Sequence, residues 1–186
     1  IAIDPALTTF AQCSPFYQGN FLGKDSRVIV YRGGSNLKYE KGLYSKLQEF
    51  GALQPYKLLG IDLEEIIRNQ YDMWTDILRN AGVTAPPFLN HGSILDTNWK
   101  PVKINAHGTI EIRGMDMTTP RICVAIVTLV RALSTAIYEK FLEVVPSDDG
   151  ISSPFKMEGN SIFVPPQSFV LYHLQPQSAY MGLSDN

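Results

Sequence analysis

The sequence predicts an α+β domain in which antiparallel strands are packed by helices. Three observations predict it. Two segments, Leu63 to Asn80 and Pro120 to about Glu143, carry apolar residues at helical spacing. Two others, Trp99 to Ile104 and Thr109 to Met115, read as strands that pair in a hairpin. Hydrophobic residues make up 45% and charged residues 18% of the 186, enough apolar surface for one core and far from the composition of disorder. One domain, or part of a larger one, is expected over residues 1–186.

Taken in order, Ala6 to Cys13 suits a short helix that Ser14-Pro15 ends, because proline disfavours helical geometry in the residue before it. A loop follows with Gly19 and Gly23, then the strand-like Val28 to Tyr31 flanked by Arg27 and Arg32, and the Gly33-Gly34 pair. Tyr39 to Phe50 has helical spacing. In the helix Leu63 to Asn80, Ile66, Ile67, Met73, Trp74, Ile77 and Leu78 form one broad stripe, with Asp62 as N-cap and Gly82 as stop. Ala85-Pro86-Pro87 forces an extended loop toward His91-Gly92 and the two strands. Thr118 or Thr119 caps the last long helix, which begins at Pro120 and turns Ile122, Ile126, Leu129, Leu133 and Ile137 to a core. Beyond Pro146, Ser161 to Val164 and Ser168 to Leu174 read as strands or core-covering loops.

A net charge of -2 gives no field that gathers phosphate backbones, so nucleic acid is not expected as a partner. Arg121 and Arg131 bracket and break the most apolar run, which leaves no uninterrupted membrane-length stretch and no expected membrane partner. Cys13 and Cys123 lie in apolar runs and read as buried, reduced thiols without metal or disulfide spacing. The protein is expected to be cytoplasmic. With Ile1 at its start, the chain reads as a fragment.

The segment that carries chemistry is Gly108 to Asp116, GTIEIRGMD. On a strand, alternate side chains share a face, so Glu111 and Arg113 point to one side while Ile110 and Ile112 point to the core. A carboxylate suits Mg²⁺ and a guanidinium fork suits phosphate oxygens, with Asp116 just beyond. An isolated Glu-x-Arg is more often a solvated surface pair.

The longer run, together with Cys13-SPFYQG-Gly19, Phe21 to Arg27 and Asn98-Trp99 in that order, resembles the carboxylate-amine ligases of the glutamate–cysteine ligase type, in their carboxyl-terminal half. Over about two thirds of the chain the likeness is loose, and its specific part is GTIEIRGMD with the long helix behind it. The resemblance implies a glutamine synthetase-like catalytic domain, whose cupped antiparallel sheet holds ATP, Mg²⁺ and an amino acid. It implies activation of glutamate or a similar acid as an acyl phosphate, attack by an amine such as cysteine, and a place in glutathione biosynthesis. It makes Glu111 a metal ligand, Arg113 a clamp on the transferring phosphate, and Arg27 and Lys103 further nucleotide contacts. It also implies either a homo-oligomer or a missing amino-terminal half.

Ser14, Gln18 and Arg27 suit loop capping and surface pairing equally well. The family pattern has an acidic residue and Arg-Pro after its tryptophan, whereas Trp99 is followed by Lys100-Pro101-Val102-Lys103, and Lys is not equivalent to Arg at a bidentate site. The family's amino-terminal Glu-x-Glu strand and His-rich strand have no counterpart here, so these residues by themselves are expected to be inactive. Glu64-Glu65 and Asp148-Asp149 read as solvated surface, His107 as a turn residue, and His91 and His173 as structural. A non-catalytic homologue that binds a nucleotide or partner is the rival reading. A guanidino kinase is a weaker one, since neither cysteine sits in a reactive loop.

Overall fold

The computed structural model describes residues 1–12, 14–32, 36–56, 60–83 and 93–183. The readings made at Cys13, Gly33-Gly34, Ala85-Pro86-Pro87 and His91 lie outside the described residues. Asp62, expected as an N-cap, lies inside the first turn of a helix that already begins at Gly60. The chain is a mixture of helices and small sheets. Where the sequence suggests one domain, its contacts gather into two compact units, one of Ile1 with Val30–Gly114 and one of Ala2–Ile29 with Met115–Asn186.

In the first unit the helix Gly60–Asn80 ends as its sequence dictates. Gly82 adopts φ 80°, its amide donates to the Arg79 carbonyl, and Val83 donates to Leu78, which satisfies the last carbonyls of the helix. The stretch 39–50 is not one helix. Gly42, Ser45 and Leu47 donate to Tyr39, Gly42 and Tyr44, a chain of tight turns that leads into the short helix Gln48–Gly51. Gly42, which costs helical stability, stands in the middle of it. A capping box, with Ser93 accepting from Leu95 and Asp96 accepting from Ser93, starts the 3₁₀ turn Ile94–Thr97. The antiparallel strands β3 (Val102–Ile104) and β4 (Ile110–Ile112) follow. Phe50 and Leu37 are fully buried in this unit, and Phe50, Trp74 and Trp99 meet edge to face or tilted at 4.8 to 6.3 Å.

In the second unit the first helix, Asp4–Phe10, packs against the late helix Gln175–Tyr180. Ser178 donates to the Pro5 carbonyl and meets the Thr8 and Thr9 hydroxyls, so these three hydroxyls satisfy one another. Gln18 and Gly19, with φ 49° and 80°, turn β1 (Phe16–Tyr17) into β2 (Asn20–Phe21). The strand expected at Val28 to Tyr31 lies inside a helix, Ser26–Arg32, which continues into the first unit. The Asp25 carboxylate accepts from the Val28 amide, and this cap overrides the strand preference of Val-Ile-Val.

The long helix of this unit spans Pro120–Glu139, capped by Thr119, with Ile126 buried beside Leu7 and Ala11. Leu129 and Cys123 are exposed, contrary to the core positions read for them, because the inward stripe runs through Ile122, Ile126 and Val130. By length and composition this helix could cross a membrane, with mean hydropathy 1.7 in its most apolar window, so two arginines interrupt the run without making it polar.

Strands β5 (Glu143–Pro146), β6 (Met157–Glu158) and β7 (Ser161–Val164) form a mixed sheet in the order β5-β7-β6. The β5–β7 pair is parallel, a departure from the all-antiparallel expectation. The segment Ser168 to Leu174 is helical, neither strand nor loop, and widens into a π turn at Val170–Leu174. Pro176, which has no N–H for the preceding turn, accounts for that widening.

Candidate functional site

The β3–β4 hairpin sets the geometry. Asn105 holds its turn, accepting on Oδ1 from the amides of His107 and Thr109 and from the Thr109 hydroxyl, while Gly108 takes φ 73°. His107 is exposed on that turn. The register places Lys103 opposite Glu111, and the Arg113 amide closes the ladder by donating to the Pro101 carbonyl at 2.7 Å.

Glu111 and Arg113 share a side of the hairpin, with Arg113 Nε 3.8 Å from Glu111 Oε1. Lys103 Nζ stands 3.9 Å from Glu111 Oε2 and 3.7 Å from Asp96 Oδ1. These separations are ion pairs longer than hydrogen bonds. The Lys103 side chain is 9% exposed and that of Arg113 29%, yet among the described residues no acceptor lies within hydrogen-bonding distance of either cation. Of the two isoleucines expected to face a core, Ile112 is half-buried and Ile110 is 70% exposed, because it lies next to the turn at the open end of a three-residue strand.

The base of the hairpin is anchored from the aromatic core. Trp99 donates its amide to the Phe50 carbonyl, and Tyr44 stacks on its ring at 5.9 Å. Arg32, 6% exposed, donates to the carbonyls of Gly51 and Trp99. Burial pushes the Tyr44 phenol above its ordinary range, while the positive charges of Arg113 and Arg32 pull it the other way. Sequence reasoning missed Asp96, Arg32 and Tyr44. Only Asp96 had a local signal, the Ser93-x-x-Asp96 capping box.

Arg27 and Asp116 belong to the second unit. There the Arg27 guanidinium donates to the Met115 carbonyl and the Asp116 amide to Ala11. Ser14 and Gln18 serve their own hairpin, Ser14 Oγ accepting from the Phe16 amide and the Gln18 carbonyl from Asn20. Arg113, Glu111 and Lys103 are therefore the site residues that one hairpin gathers.

The arrangement presents cationic donors and suits an oxyanion. It does not fit a magnesium ion as it stands. Asp96 and Glu111 both turn toward the Lys103 ammonium, and a cation between them would have to displace it. No group of three or more His, Cys, Asp or Glu among the described residues is placed to hold a metal. Compared with models of known families, with curated proteins and with solved structures, this chain finds no match.

Proposed function

We propose that the chain is part of an ATP-dependent carboxylate-amine ligase of the glutamate–cysteine ligase type, and that the β3–β4 hairpin handles the phosphate that moves. The observation that carries this reading is the pair Lys103 and Arg113, both half-buried beside one hairpin and both without a hydrogen-bond acceptor among the described residues. Partly buried cations whose donors still reach solvent suit an anionic ligand, because an oxyanion can add the charge-assisted hydrogen bonds that their long ion pairs do not supply.

In this reading Arg113 holds the oxygens of the transferring phosphoryl group, Lys103 neutralises the charge that develops, and Glu111 keeps the two cations apart and aimed. The acid, glutamate or a close relative, gains the γ-phosphoryl group of ATP as an acyl phosphate and releases ADP. An amine such as that of cysteine then displaces phosphate to form the amide. The resemblance assigns magnesium to Glu111, but that carboxylate faces Lys103 and Arg113 and is not open to the ion. The glutamine synthetase-like cup is part of the same proposal.

The rival reading, a non-catalytic homologue that binds a nucleotide or a partner, draws on Lys103 as well. An ammonium that faces both Asp96 and Glu111 occupies the place where a catalytic metal would be needed.

The test is ADP release by the full-length gene product with Mg²⁺, glutamate and a panel of amines including cysteine. Turnover that requires both acid and amine, and falls by about 100-fold or more in Arg113→Ala, supports the ligase. A folded protein with no turnover, whose metal-dependent nucleotide affinity is unchanged in Glu111→Gln, belongs to the rival.

A further inference from the structure

The helix Pro120–Glu139 meets its own core through Ile122, Ile126 and Val130. Its other side is also largely apolar, interrupted near the middle by Arg131. Val124 and Val127 are 67% and 64% exposed, and Ala125, Thr128, Ala132 and Thr135 are exposed with them. A helix that is apolar all round is normally covered on both sides. The two ends of the outer face carry opposite charges, Arg121 and Glu139, which are about five turns apart and so lie on the same side. Both are exposed, and neither is ion-paired among the described residues.

We propose that a second copy of the chain docks on this face, antiparallel, about a two-fold axis near the middle of the helix. Charge complementarity selects that orientation. An antiparallel pair sets each Arg121 against the partner's Glu139, whereas a parallel pair sets like charges together. The same symmetry places Thr128 opposite the partner's Ala132, and Ala125 opposite the partner's Thr135. These side chains are small enough for two helix axes to approach to about 8–10 Å. Val124 and Val127 extend the apolar contact along one flank. Arg131, exposed and one residue beyond the axis, meets its own copy and has to reach sideways, so it opposes the contact. The inference is independent of the ligase reading, since it concerns the second unit and is read out by mass.

Sedimentation velocity of the full-length protein over a concentration series tests it. Arg121→Glu and Glu139→Arg are each expected to weaken the dimer at least tenfold, at unchanged far-UV circular dichroism, and the double reversal to restore it to within about threefold. Arg131→Gln is expected to tighten it. A monomer at every concentration up to about 100 µM overturns the proposal. So does a dimer indifferent to both single reversals, or a monomer whose helix instead takes the protein onto anionic phospholipid vesicles.

Discussion

Lys103 and Glu111 stand directly opposite each other across the β3–β4 ladder, with the ammonium nitrogen 3.9 Å from the nearer carboxylate oxygen. The pair is asymmetric. The lysine side chain is 9% exposed and the glutamate 41%, so water screens the carboxylate more than it does the lysine stem. Substitutions at the two positions therefore have different consequences.

Glu111→Gln keeps the shape of the side chain and removes its charge. Because the carboxylate is close to half exposed and its contacts are long, the expected loss is below about 1 kcal/mol of unfolding free energy in urea titration. A loss above about 3 kcal/mol would mean that the pair is desolvated on both sides.

Tyr56 supplies a pH dependence. Burial pushes its phenol from 10.0 up to about 12, so the folded state keeps the proton over a range in which the unfolded state gives it up. Stability from this group is fully present below pH 10 and is lost as pH rises toward 12. Denaturant midpoints measured across that window should fall, and the fall should be shallower in Tyr56→Phe. Equal slopes in the two proteins would remove Tyr56 as the cause.

Gly150 lies against the backbone of β7. A Cβ there would sit 2.2 Å from the Val164 carbonyl carbon, and backbone cannot step aside as a side-chain tip can. Gly150→Ala is expected to cost more than about 2 kcal/mol and to show as a lowered thermal midpoint.

Phe141 follows the long helix with φ 50°, while Leu142 donates back to Ile137 and Phe141 to Tyr138. That geometry favours glycine, and the ring, 84% exposed, gains little from burial in return. Phe141→Gly is expected to raise the unfolding free energy by about 0.5–1 kcal/mol in chemical denaturation. A decrease would show that the ring has packing the exposure does not reveal.

Periodicity and end signals were enough to find the long helices. The stop at Gly82 and the Thr119-Pro120 start appear as written, and so does the stripe in 63–80 except at Met73, which is 42% exposed. Short elements were legible only where a cap or turn was recognised. Val28 to Tyr31 has strand composition, but the Asp25 carboxylate closes a helical turn over it, and such a contact outweighs intrinsic preference. The same limit applied to the site. Glu111 and Arg113 follow from strand alternation, whereas Lys103 meets Glu111 through register, Asp96 is marked locally only by its capping box, and Tyr44 arrives through a contact that no local pattern encodes.

The order β5-β7-β6 has a kinetic consequence. Strands β6 and β7 are joined by the two residues Gly159 and Asn160, so they find each other after closing a very short loop. Strand β5 needs a parallel partner, and it gets one only after a crossover that includes Asp149–Ser152 and the hairpin itself. The hairpin therefore has the lower closure entropy and forms early, and Glu143–Pro146 zips onto its free edge late. Changes in the Gly159 turn should act on the rate of refolding, and changes in Val144 or Val145 chiefly on the rate of unfolding.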